Sequence, residues 1–97
     1  MDKMSLMNLS NHTSEDVLSS KLEEAQQSVE VGALYVHYRS PDKPYKVLAV
    51  GLLEENEKPC VVYQALHDSV VWVRALDSWL SDVSVEGKIV SRFQKVV

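Results

Sequence analysis

Tyrosine, tryptophan, arginine and histidine are the side chains whose type and spacing could do chemistry in this chain. They cluster in a few short stretches: Tyr35-Val36-His37-Tyr38-Arg39, Tyr45, Tyr63, Trp72-Val73-Arg74 and Arg92. An arginine offers a planar fork of donors that matches a carboxylate or phosphate, and Trp and Tyr offer faces on which a flat ring or a cation can stack. Side chains alternate across a strand, so Trp72 and Arg74 fall on one side, as do Tyr35, His37 and Arg39. Each of these residues also has an ordinary structural use. Tyr and Trp are commonly half-buried with one polar tip satisfied, and Arg often lies flat over rings. That use is the more frequent for any one of them; only the group argues for a ligand. His37, Tyr63, Trp72 and Arg74 form the centre of the proposed ligand-binding set, with Tyr45 and Arg92 at its periphery.

Other chemistry lacks its residues. His12, His37 and His67 have neither cysteine nor carboxylate partners at zinc-site spacing. The three glycines are isolated, so no phosphate-cradling loop is present, and no Gly-x-Ser-x-Gly elbow occurs. Cys60 opens the apolar run Val61-Val62-Tyr63 and reads as a small hydrophobe near a strand end. A Cys60–His67 nucleophile–base pair stays open by residue type, but seven residues along one strand at ~3.3 Å per residue set the two far apart. Glu54, Glu55 and Glu57 form a charge run in a turn, which reads as a solvated loop. No catalytic residue, metal ligand or cofactor site is assigned on these grounds.

The elements that must position the cluster follow from periodicity. Residues 1–12 show none and read as a mobile terminus. Thr13 or Ser14 suits an N-cap, with Glu15 and Asp16 in the first turn, where carboxylates favour the helix dipole. Leu18, Leu22, Ala25 and Val29 then recur at helical spacing, predicting a helix over 14–28. So thin a stripe must dock to be stable: on its own domain by preference, or on a partner, which makes dimerisation through this helix the alternative. After Gly32 the pattern becomes extended. Strands are expected at 34–39, 45–53, 60–66 and 70–76, separated by the two-proline loop Ser40–Pro44, the polar turn 54–59 and a turn at 67–69. Asp77–Ser81 suggests a short helical turn, and Val83–Val85, a turn at Glu86-Gly87 and Lys88–Lys95 complete the domain.

With a two-residue turn at Asp68-Ser69, Ala65 faces Trp72, Tyr63 faces Arg74 and Val61 faces Leu76. Tyr63, Trp72 and Arg74 then share one face, with His67 nearby. Val62, Leu66, Val71, Val73 and Ala75 share the other, with Gln64 as its polar member. The second face is expected to be the core and the first to be outward. The fold class predicted is mainly β: a small SH3-like or Greek-key β-barrel over 32–97, preceded by one N-terminal α-helix within 1–31.

The totals fit that picture. Ninety-seven residues make one domain, with a net charge of −4. Residues 1–31 carry two basic side chains against six acidic ones, and the remainder eight against eight. A neutral body behind an acidic leader argues against nucleic acid as a partner, because phosphate binding needs a clustered basic surface. One cysteine excludes an intrachain disulfide, and no apolar run approaches the ~20 residues of a spanning helix. No membrane association and a cytoplasmic location are therefore expected.

Several of these stretches resemble a known family. Gly32-x-x-Tyr35-x-His37-Tyr38-Arg39, Tyr45-x-Val47-x-x-Val50, Val61-Val62-Tyr63-Gln64-x-Leu66, Trp72-Val73-Arg74 and Gly87…Arg92-Phe93 are similar, in order, to the bacterial domain of unknown function 1653 family. The likeness covers residues 32–94. It implies a small bacterial protein or accessory domain with no established activity. The chain departs from the family pattern at Ser40-Pro41-Asp42, Ala75 and Trp79. The leading reading is a non-catalytic binding module for a small anionic or planar ligand, or a peptide; the alternatives are a structural protein dimerising through the N-terminal helix and, least favoured, an enzyme resting on His37 near Arg74 and Tyr63.

Overall fold

The computed structural model describes residues 14–96, so the expectations for residues 1–12 and for a Thr13 cap lie outside the described residues. Helix α1 runs Glu15–Ser28 behind Ser14, whose carbonyl accepts from the Leu18 N–H at 3.1 Å. Its stripe docks in cis. Ala25 and Val29 are buried in the core, and Leu22 packs against it. Those side chains are occupied within the chain, while Val17 at the start of the helix stays exposed.

Gly32 turns the chain with φ +91°, a conformation that side chains with a Cβ rarely adopt. Seven strands follow: β1 Leu34–His37, β2 Ser40–Leu52, β3 Pro59–Ala65, β4 Val71–Ala75, β5 Asp82–Val85, β6 Lys88–Ser91 and β7 Phe93–Lys95. One helical turn, α2 Leu76–Trp79, separates β4 from β5. Five strands form an antiparallel sheet in the order β4-β3-β2-β1-β7, and β5 and β6 form a separate ribbon. The class is mainly β, as expected, with one N-terminal helix. The barrel is not: β4 and β7 remain the two edges of an open sheet. One face of the sheet is closed by α1, α2 and their side chains rather than by curling.

Two local expectations change. The prolines of 40–44 do not end a strand; β2 runs through them. His37 pairs with Ser40 and Tyr35 with Tyr45, so residues 41–44 bulge opposite the single Val36. Pairing with β3 begins only at Tyr45, and the missing proline N–H groups therefore interrupt no ladder on that side. At Leu48 a second irregularity lets both Val47 and Val50 point into the core while Leu48 and Ala49 stay exposed.

The β3–β4 register is also shifted. Tyr63 pairs with Trp72 and Val61 with Arg74, two residues from the expected pairing. The connection is longer than two residues: Ala65 N–H donates to the Val70 carbonyl, Asp68 Oδ1 accepts from the Val70 N–H, and Ser69 sits at φ +63°. A two-residue slip preserves parity, so the division of side chains into two faces holds. Inside and outside, however, are exchanged. Val61, Tyr63, Ala65 and Leu76 are buried, whereas Leu66, Val71 and Val73 are exposed. The ring-bearing face is the core face, because α1 and α2 both settle on it. Tyr35 is likewise buried, placing its side of β1 inward.

Candidate functional site

Four rings make the floor beneath the cluster. Trp79 stacks on Phe93 with centroids 3.7 Å apart and planes 7° from parallel. Tyr35 and Tyr63 meet the Trp79 indole edge-on at 5.3 and 4.9 Å. α2 delivers Trp79 to this position immediately after β4, and β7 delivers Phe93 by pairing with β1. Rings arranged in this way lock one another's rotamers, so the groups above them are held on a rigid base.

On that base lies a cleft of about 320 Å³ lined by His37, Arg39, Ser40, Tyr45, Tyr63, Trp72, Arg74 and Phe93. Five of the six expected ligand-binding residues therefore line one concavity. Arg92, the sixth, is not in its wall. Trp72 stands directly opposite Tyr63 and is 52% exposed, so its indole forms an open side of the cleft. Tyr45 meets Tyr63 edge-on at 5.4 Å and Phe93 at 6.4 Å. His67 contacts Tyr45 only from outside, at 6.5 Å, and pairs with Asp68 at 3.5 Å.

Arg74 is fixed from three sides. Its Nη1 donates to Ser78 Oγ at 3.0 Å, its Nε makes a long bond to Tyr63 Oη at 3.4 Å, and its guanidinium lies 5.3 Å over the Phe93 ring. Among the described residues no carboxylate pairs with it. A guanidinium has five N–H donors, so three are left for another acceptor. Arg92 donates through Nε to Ser81 Oγ at 2.9 Å, and Ser81 Oγ in turn donates to the Ser78 carbonyl at 2.7 Å. The α2 turn thus tethers Arg74 and Arg92 together. Arg39 donates through Nε to Tyr38 Oη at 2.9 Å.

His37 sits among these cations. Its Nδ1 accepts the Arg39 backbone N–H at 3.1 Å, which leaves the proton of the neutral ring on Nε2. Partial burial first, and then Arg74, Arg92 and Arg39, push its pKa below the ordinary histidine value. The cleft is therefore a local positive patch in a chain of net negative charge, walled by rings. Such a site offers an anion a donor fork and a flat group a stacking face.

Sequence reasoning missed Arg39, Ser40 and Phe93 as lining residues and Trp79 as their support. Arg39 had a signal, since it alternates with His37. Trp79 and Phe93 had none that spacing supplies, because their stack joins segments fourteen positions apart through sheet topology. Among the described residues no group of three or more His, Cys, Asp or Glu is placed to hold a metal ion. No described helix is long and apolar enough to cross a membrane.

Comparison with known proteins bears on the fold and the family. No curated protein matches the chain. A crystal structure of a DUF1653 protein from Bordetella bronchiseptica is similar over 73% of this chain and 91% of its own, with a TM-score of 0.63 and 26% identity. The profile of DUF1653, described as a protein of unknown function, matches residues 33–95, which span the sheet, the ribbon and every residue lining the cleft. The chain belongs to the DUF1653 family.

Proposed function

We propose that the cleft between β1, β2, β3 and β4 binds a small planar anion, a carboxylate or phosphate attached to a flat ring, and that the domain acts as a binding module. The observation that carries this reading is the convergence of Arg39, Arg74 and Arg92 on His37 with no carboxylate pairing any of the three among the described residues. A half-buried guanidinium that ends with spare donors is an incomplete arrangement, and an external anion completes it. Trp72 supplies the stacking wall, and Tyr45 and Tyr63 line the cleft beside it. Dimensions fit as well: about 320 Å³ lies at the small end of ligand pockets.

Ligand-observed NMR on the full chain tests the reading with benzoate, a nucleoside monophosphate, glucose 6-phosphate and a short acidic peptide. The planar anions are expected to bind best. Charge-assisted hydrogen bonds contribute about 1.5–3 kcal/mol, so Arg74→Ala is expected to weaken them by about 10- to 150-fold. Trp72→Ala is expected to weaken the planar ligands more than the sugar phosphate. Equal binding by the wild type and both variants ends the idea.

A further inference from the structure

The polar wall of the cleft is made almost wholly of hydrogen-bond donors. Two arginines, a histidine, three hydroxyls and an indole line it, and no carboxylate or side-chain amide does. A guanidinium has five N–H donors; Arg39 uses one on Tyr38 Oη and Arg74 two on Tyr63 Oη and Ser78 Oγ, which leaves four and three. His37 adds another, because its Nδ1 accepts the Arg39 backbone N–H and its Nε2 therefore carries the proton. None of these remaining donors meets an acceptor among the described residues. A group that fits here is rich in acceptors and brings no ammonium of its own.

Resting on the reading of the cleft as a site for planar anions, we infer that the ligand is a phosphate monoester bearing a flat ring, bound as its dianion, and that Arg39 selects it over a carboxylate. Charge is the first argument. Arg39 and Arg74 bring two positive charges to the lining, and a phosphate monoester carries about −1.5 to −2 at pH 7, whereas a carboxylate carries one. One guanidinium fork saturates a carboxylate, so the second arginine would stay unpaired. Placement is the second argument. Arg74 stands on β4 and Arg39 in the connection from β1 to β2, with β2 and β3 lying between them in the sheet. A ligand that meets both must present oxygens in diverging directions. The terminal oxygens of a phosphate diverge tetrahedrally; the two oxygens of a carboxylate lie along one edge of a plane. Arg74, held by Ser78, Tyr63 and Phe93, is the fixed anchor. Arg39 is exposed and bonded only through Nε, so its outer nitrogens are available as the second fork. Half-exposed Trp72 receives the ring.

Calorimetric titration of the full chain at pH 7.5 with phenyl phosphate, benzenesulfonate and benzoate tests this. Benzenesulfonate keeps the ring and three oxygens but carries a single charge. Phenyl phosphate is expected to bind about tenfold more tightly than either, the small end for one added charged contact because Arg39 is exposed. Arg39→Gln, checked for folding by circular dichroism, is expected to weaken phenyl phosphate about tenfold and benzoate by less than about threefold. Comparison of phenyl phosphate with a nucleoside 5′-monophosphate then shows whether the ring is joined directly to the phosphate or through a sugar, and tight binding of either supports the assignment. Benzoate or benzenesulfonate binding as tightly as phenyl phosphate, or Arg39→Gln weakening phosphate and carboxylate alike, overturns the inference while the planar-anion reading stands. Binding of none of these ligands overturns both.

Discussion

Replacement of Trp79 by alanine should damage the fold more than any change at the rim of the cleft. Trp79 is only 3% exposed and touches three rings, Phe93 by stacking and Tyr35 and Tyr63 by their edges. Truncating a buried tryptophan costs about 3–5 kcal/mol, the spread depending on how well neighbours collapse into the space. Little collapse is available here, since each of the three neighbouring rings is anchored on a different strand. The cost is therefore placed in the upper half of that range. A domain of this length has about 5–15 kcal/mol in total, so the variant approaches the limit of folding at 25 °C. With a urea slope of about 1–1.5 kcal/mol per molar, the midpoint measured by far-ultraviolet circular dichroism falls by about 3–5 M. Trp79→Phe keeps one ring in the stack and should cost about 1–2 kcal/mol. It should also retain binding of planar anions, because Phe93 keeps a ring behind it. A loss of less than about 0.5 M for Trp79→Ala would refute the claim that this ring cluster is the base of the site, since a cavity of that size has to register in stability.

The pH dependence of His37 has a definite sign. Its folded pKa lies below the ordinary value, so as pH falls below about 6.5 the unfolded chain takes up a proton before the folded one does. Stability contributed by this residue is thus fully present above about 6.5 and declines as pH falls toward the folded pKa; His37→Gln should flatten that part of a stability-versus-pH curve. An anion bound in the cleft beside Arg39 and Arg74 offsets the positive field at His37, so benzoate should raise the His37 pKa read from its ring protons by NMR, and binding should be tighter at acid pH. An unmoved titration in saturating benzoate would separate the ligand from His37. Ala25→Asp places a carboxylate at a position 1% exposed between α1 and the sheet, and should cost at least about 3 kcal/mol, with helical signal lost first in a thermal melt. Gly87→Ala meets no neighbouring atom but must hold φ +83°, so a loss of about 1 kcal/mol is expected in urea denaturation.

Strand order and site membership were legible in the chain to different depths. The α1 stripe, the strand stretches and the turn at Glu86-Gly87 follow from spacing, because helix and strand periods are local properties. Grouping Tyr63 with Trp72 and Arg74 also follows from spacing, and it survived a two-residue error in register because parity is unchanged by an even slip. Where the loop between β3 and β4 lies was not legible, since Asp68 and Ser69 suit a longer turn as well as a two-residue one. The stack of Trp79 on Phe93 depends on β7 pairing with β1, a contact between segments far apart in the chain that no local pattern encodes.

The exchange of inside and outside has a different cause, and it ties the site to the outer face. Hydrophobicity can say which residues share a face, but it assigns that face to the interior only when its opposite is polar. On β3 and β4 both faces are apolar by side-chain type: Val61, Tyr63 and Ala65 on one, Val62, Leu66, Val71 and Val73 on the other. Pattern alone then favours the aliphatic side. What decides the matter is the helix stripe and α2, which bring Ala25, Val29, Leu76 and Trp79 to the side bearing the rings. The rings consequently serve twice, as core at Tyr63 and as cleft wall at Trp72, one strand further out. The aliphatic side is left with a composition suited to burial and no element of the described chain to bury it. A single physical fact, two apolar faces and one set of covering helices, thus accounts for the inverted expectation.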